Sequence, residues 1–417
     1  MPKRLTPDPD LEDQIRSLNA AAEGQARPVE AEDGAAYLPD VPSAETSQQR
    51  LLAWRLDSPT EDGREWLLDL LRRARKAYAS DLVLVADSSP VIRRNGALEP
   101  LGDTVLSAGA TTMLCAALVP GASRAKLEAN GSADFSFSRP GLGRFRCNVH
   151  RERGRWAAAI RVFPDGAPDL KALNLPPVLG RFPELEHGLV LVTGPTGSGK
   201  STTLAALIRR LLTHRAAHVI TIEDPVEYEH EDDRSVIEHI EVGRDAPSFA
   251  KALRAALRQD PDVLLIGEMR DLESISIAIT AAETGHLVLS TLHTGDAPQT
   301  ISRILDSYPP RQVETVRVQL SISLAGIISQ QLLPRIDGQG RVPATEVLFA
   351  TPAVRNLIRK GKIEQLRSQF TLERNAGNLA FDESLASLAL KGLVDEDEAR
   401  FRARNPHELE MLLSRRT

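Results

Sequence analysis

The run TGPTGSGKSTT at 193–203 carries the pattern G-x-x-x-x-G-K-[ST] between an apolar stretch, GLVLV, and a helix-forming one, LAALIRRLL. Gly194, Gly197 and Gly199 let a backbone curl so that successive N–H groups point inward, and a following helix offers its positive end to an anion. With Pro195, Thr196 and Ser198 they make a cradle for phosphate oxygens. In such a cradle Lys200 reaches the β- and γ-phosphates, Ser201 coordinates Mg²⁺, and Thr202 joins the nucleotide contacts. The chemistry implied is binding and hydrolysis of Mg-ATP.

Hydrolysis also needs a carboxylate. In DVLLIGEMRD (262–271) an apolar strand delivers one at its C-terminal end, the end at which open α/β sheets bind ligands. Gly267 stands where a strand-end Asp is usual, so Glu268 alone must polarise water or hold the metal's water shell, and it is the expected catalytic base. The alternative is that Glu268 caps the next helix. In HVITIEDPVE (218–227) a second strand ends in acids at Pro225, which places Glu223 beside the metal or, alternatively, in a solvated turn. One or both of His286 and His293 in TGHLVLSTLHT are expected near the γ-phosphate as sensors of nucleotide state, against a purely structural use. No cysteine partners at metal-ligand spacing accompany them, so zinc is not expected.

These groups must be positioned by an alternation of strands (189–193, 218–222, 262–266, 286–290) with helical stretches, which predicts a parallel sheet covered by helices. That domain is expected over 178–370, with a charged helical segment at 371–417. Before it, Trp66, Leu67, Leu70, Leu71, Ala74 and Tyr78 recur on one helical face. Strands are expected at 81–85 and 90–94, and Asn95-Gly96, directly after the second, is a two-residue hairpin signal. A helix at 104–118 and strands at 133–138, 144–150 and 155–163 complete a small α/β domain over 61–163. The Pro-rich stretch 164–177 reads as a linker that permits movement, and residues 1–60 read as a mostly disordered acidic tail with too few large apolar groups to offset ordering.

The 417 residues carry a net charge of −6, of which residues 1–40, with nine acidic and four basic side chains, hold −5. A nearly neutral body argues against a general nucleic-acid binder. Cys115 and Cys147 are the only cysteines and read as small buried hydrophobes without a disulfide framework. The N-terminus lacks an apolar leader, and no run approaches the roughly 20 apolar residues of a membrane span. A cytosolic protein is expected.

Four motifs, TGPTGSGKSTT, TIEDPVEYEH, RAALRQDPDVLLIGEMRD and TAAETGHLVLSTLHT, occur in the order and spacing of the Walker A, Asp box, Walker B and His box of a known family. Over roughly residues 64–413 the chain resembles the secretion ATPases of type II secretion and type IV pili, and among them the pilus retraction motors. The resemblance implies a PAS-like N-terminal domain, a RecA-like ATPase domain with a C-terminal helical extension, and a homo-hexameric ring. It further implies arginines that reach the nucleotide from the N-terminal domain, at Arg146 in GRFRCNVH and Arg161 in WAAAIRVF. Residue by residue, AVRNLIRK at 353–360 is similar to a segment of retraction motors, with Lys360 where that motif has Glu. The four-cysteine insertion of assembly and secretion ATPases is absent, and DLVL stands where relatives commonly read DLHL. The function this resemblance leads one to expect is a motor for pilus retraction and twitching motility. It would dock peripherally on the cytoplasmic face of an inner-membrane pilus platform protein, with a homologous motor ATPase as a possible partner. The alternatives are a pilus-assembly or type II secretion ATPase, a RecA-like nucleic-acid translocase, and a non-hydrolysing accessory scaffold.

Overall fold

The structure, a computed structural model, describes residues 9–25 and 60–414. It divides into two compact units, Met1–Asp165 and Gly166–Thr417.

The first unit opens with helix α1 (Pro9–Gln25), which corrects the expectation of a mostly disordered tail for these residues. Leu11, Ile15, Leu18 and Ala22 recur at helical spacing and are all buried. A short amphipathic stripe was diluted by the polar composition of the surrounding sixty residues. The rest of the expected tail lies outside the described residues. Asn19 Oδ1 accepts from the Ser107 N–H at 2.9 Å and Asn19 Nδ2 donates to the Val105 carbonyl at 2.8 Å. Gly109 has no side chain to keep it from Ala22, since a Cβ there would sit 2.9 Å from the Ala22 Cβ.

Helix α2 (Glu61–Lys76) starts where Thr60 accepts from the Gly63 N–H. Six antiparallel strands follow: β1 (Asp81–Leu84), β2 (Val91–Arg94), β3 (Ala97–Pro100), β4 (Ser132–Arg139), β5 (Gly143–Glu152) and β6 (Arg155–Val162). Their order across the sheet is β3-β2-β1-β6-β5-β4. Asn95 and Gly96 both take positive φ and turn β2 into β3, as the dipeptide predicts. Helices α3 (Ala108–Leu118) and α4 (Gly121–Asn130) complete the unit. Helix α3 begins one turn later than the expected 104 because Ser107 caps the Ala110 N–H. Leu71, Leu82, Leu114, Phe145 and Ile160 centre the core, and Cys115 and Cys147 are buried in it. Burial pushes the Cys115 thiol up to about 12.

In the second unit the segment expected as a linker is part of the fold. Leu170 and Leu175 are buried with Val190, Leu207 and Ile328, and Arg209 donates to the Ala167 carbonyl. A 3₁₀ stretch, Pro177–Glu184, leads to β7 (Gly188–Thr193) and α5 (Lys200–His214). There follow β8 (His218–Glu223), β9 (Val236–Glu241), α6 (Phe249–Ala256), β10 (Val263–Ile266), α7 (Leu272–Glu283), β11 (Leu287–Leu292), α8 (Ala297–Leu305), α9 (Val313–Ser323), β12 (Leu324–Pro334) and β13 (Arg341–Phe349). The seven-stranded sheet has the order β13-β12-β7-β11-β10-β8-β9, parallel except for the β12–β13 hairpin. Every residue of β7, β10 and β11 is buried, as strands covered on both faces must be.

Helices α10 (Pro352–Arg359), α11 (Leu366–Leu372), α12 (Phe381–Leu390), α13 (Glu396–Arg402) and α14 (Pro406–Ser414) close the chain. The C-terminal segment is joined to the ATPase sheet through one apolar cluster that unites Leu333, Val342 and Ala344 with Phe381, Leu385, Leu409 and Leu413. No helix among the described residues is long and apolar enough to cross a membrane.

Candidate nucleotide site

Parallel strands bring their C-terminal ends to one edge, and register decides which side chains meet there. Thr193 of β7 lies beside Leu292 of β11, Ser290 of β11 beside Ile266 of β10, and Ile266 beside Ile222 of β8. The residues after these positions are Gly194, His293, Gly267-Glu268 and Glu223, so four separate motifs converge on one edge. With about 4.8 Å between strands, the row spans little more than a triphosphate and its metal.

Gly194, Gly197 and Gly199 all have positive φ, and the loop they allow buries Ser198 while Pro195, Thr196 and Gly197 face solvent. A side chain at Gly194 would collide with the Gln330 carbonyl oxygen. Lys200 opens α5, and its ammonium donates to the carbonyls of Gly194 at 2.9 Å and Pro195 at 3.1 Å. Burial holds it below the ordinary lysine range, against the opposing pull of Glu268 and Glu227. Ser201 and Thr202 come next in the first turn, where Thr202 accepts a hydrogen bond from Tyr228 Oη at 3.0 Å. The Ser198 hydroxyl is buried without a hydrogen-bond partner, an orphaned polar atom in a cradle whose amides suit phosphate. The donor set suits Mg²⁺ as well: a Ser201 hydroxyl and the Glu268 and Glu223 carboxylates are hard oxygen ligands.

Glu268 Oε1 pairs with Arg270 at 2.5 Å, and its Oε2 lies 3.6 Å from His293 Nε2. It does not cap the next helix. Asp271 does, accepting from the Ser274 N–H at 2.8 Å. Gly267 keeps β10 close to β8, since a Cβ there would sit 3.3 Å from the Glu223 Cα. Glu223 therefore ends its strand beside Gly267, the residue before Glu268.

Of the two histidines, only His293 stands at this edge. His286 precedes β11 and lies at the opposite end of that strand from His293, about 20 Å away along six residues of strand. There His286 Nδ1 lies 3.0 Å from the Ala281 carbonyl at the end of α7. Two histidines in one motif are separated because the strand between them runs the full depth of the sheet. Arg146 and Arg161 belong to the first unit, as neighbours across β5 and β6 on a solvated sheet face. Arg161 Nε donates to Asp81 Oδ1 at 3.1 Å.

Sequence reading missed Gln330. From β12 its amide donates to the Ser198 carbonyl at 2.6 Å and accepts from the Thr203 hydroxyl at 2.7 Å, which pins the phosphate loop to the first turn of α5. The available signal was two polar residues, Gln330 and Gln331, inside the apolar run GIISQQLL. A buried amide must find partners, and this one finds them 132 and 127 residues away.

Residues 178–376 match the model of the type II/IV secretion system protein family. The chain is 43% identical to the twitching motility protein of Neisseria gonorrhoeae over 343 residues, covering 82% of this chain and 92% of that one. It is 42% identical to the type IV pilus retraction ATPase PilT of Pseudomonas aeruginosa over 82% of this chain and 98% of that one. A crystal structure of the pilus retraction motor PilT with bound ADP superposes with a TM-score of 0.76 at 44% identity, covering 82% of this chain and 98% of that one. On these likenesses and on its four nucleotide motifs, the chain belongs to the type II/IV secretion ATPase family, among its PilT-like members.

Proposed function

We propose that this chain is the ATP-hydrolysing motor of type IV pilus retraction, working as a homo-hexamer on the cytoplasmic face of an inner-membrane platform protein. The observation that carries the chemistry is the convergence of Lys200, Glu268 and His293 at one sheet edge beside the phosphate loop. Retraction as the use of that chemistry is supported by the names of the two relatives matched over most of the chain.

The loop amides and Lys200 hold the β- and γ-phosphates, and Ser201 and Glu268 are the residues that would hold Mg²⁺, which would neutralise charge on the phosphates. Glu268 orients the attacking water and accepts its proton, with His293 3.6 Å away to fix the carboxylate. Glu223, on the neighbouring strand, would support that metal's water shell. Arg146 and Arg161 supply positive charge to the γ-phosphate during its transfer; they are neighbours in register and exposed, and Arg161 would exchange its Asp81 partner for phosphate.

The test joins two measurements. Purified protein should show Mg-dependent ATP hydrolysis, and deletion of the gene should give cells with more surface pili and less movement. Cells without pili after deletion would instead assign the motor to assembly. A purified oligomer with no affinity for adenine nucleotides would end the motor reading.

A further inference from the structure

His293 is the first of four residues, 293–296, that connect β11 to α8, and the far end of that connection is tied down from the C-terminal part of the chain. Glu346 of β13 accepts from the Ala297 N–H at 2.9 Å. Arg404, in the turn between α13 and α14, donates one guanidinium nitrogen to Glu346 and the other to the Gly295 carbonyl. Arg367 of α11 pairs with Asp296 at 3.1 Å, while Asp296 caps α8 through the Gln299 N–H at 2.8 Å. The turn that presents Arg404 is itself fixed. Asp382 of α12, which is buried, accepts from the backbone N–H groups of Arg404 and Asn405 at 2.9 and 2.8 Å, and the guanidinium lies over the Phe381 ring.

Burial raises Glu346 above the ordinary carboxylate range, and Arg404 with the Ala297 N–H opposes that rise. A buried carboxylate shared between an arginine and a helix N-terminus is an expensive arrangement to keep for stability alone, because apolar groups of similar volume serve as well or better. Its geometry has a directional result: the loop carrying His293 cannot shift along the sheet edge without breaking charge-assisted bonds at Gly295, Asp296 and Ala297.

We infer that Arg404 is a positioning residue for hydrolysis. Through Glu346 and the Gly295 carbonyl it holds His293 against Glu268, so the C-terminal helical segment reports directly on the catalytic carboxylate. This rests on the reading of Glu268 as the catalytic base. A segment that docks elsewhere could thereby govern turnover without touching nucleotide.

The experiment is a double-mutant cycle on the full-length oligomer, read as kcat and KM for ATP. Arg404→Met is expected to lower kcat about tenfold while KM stays within about twofold, since displacement near the chemistry costs turnover before binding. Arg404→Lys should recover part of that loss by keeping the charge on Glu346. In a His293→Ala background, Arg404→Met should cost little more, because residues acting as one unit are not additive. Should Arg404→Met fail to fold, Arg404→Met with Glu346→Gln removes the stranded charge, keeps an acceptor for Ala297 and enters the same cycle. Unchanged kcat in either variant, or losses that multiply with His293→Ala, would overturn the inference. Absence of turnover in the unaltered protein would instead remove the ATPase reading beneath it.

Discussion

The two sheets of this protein expose their chemistry in different ways. In the first unit an antiparallel sheet keeps one face in solvent, and Arg146, Arg161 and Asp81 stand in a row across it. In the second unit β7, β10 and β11 are buried along their whole length, and everything reactive sits just past the strand ends. A side chain on a solvated face is ordinary unless a partner arrives, whereas a carboxylate beyond a buried strand has been placed there by the register of its neighbours. The second sheet therefore declares a site by its architecture and the first does not.

The largest test of that contrast lies at the buried sheet's edge. Lys200→Ala and Glu268→Gln should each lower ATP turnover by about 10³-fold or more, on the scale at which single transition-state contacts act. Circular dichroism should show an intact fold in both. Full activity in either would place the chemistry elsewhere.

Acid should also separate the units. The second unit holds all the histidines but His150, and burial, then His239 and Arg209, depresses His230 to about 4. A histidine depressed in the folded state contributes stability that is complete above its unfolded value of about 6.5 and is lost as pH falls toward 4. The loss amounts to about 3 kcal/mol. Thermal melting of the second unit should weaken over that window and His230→Gln should flatten the dependence. An equally steep acid dependence in the variant would assign the effect to other groups.

The smallest effect contrasts the two ends of β11. His293→Ala should lower kcat about tenfold, the low side of what an oriented acid–base group contributes, while His286→Ala should leave kcat within about twofold. Comparable losses from both would mean that distance along the strand does not insulate His286 from the reaction.

Legibility from sequence divides along the same line. Strands β7, β8, β10 and β11 are continuous apolar runs, and the glycines of the phosphate loop have a steric necessity that spacing alone reveals. The place of Glu268 at the sheet edge was legible because it directly follows such a run, Gly267 apart. Strand β9 has alternating exposure at the sheet edge, and β12 and β13 depend on a hairpin formed far from β7 in sequence, so no local pattern marks them. Gln330 escaped for the same reason, since its partners are set by topology. The packing of residues 164–177 was not legible because Leu170 and Leu175 look like isolated apolar residues among prolines until the surface that receives them is folded.

Helix α1 carries a practical consequence for anyone trimming this protein. Cutting before residue 60 seems harmless, since the nucleotide motifs all lie beyond it. Yet that cut would strip four buried apolar side chains from α2 and α3, leave Ser107 and Val105 without Asn19, and bare a greasy strip on the first unit. Such a fragment would be prone to self-association through a surface that α1 covers in the intact chain, and an oligomeric state measured on it would not be that of the intact protein.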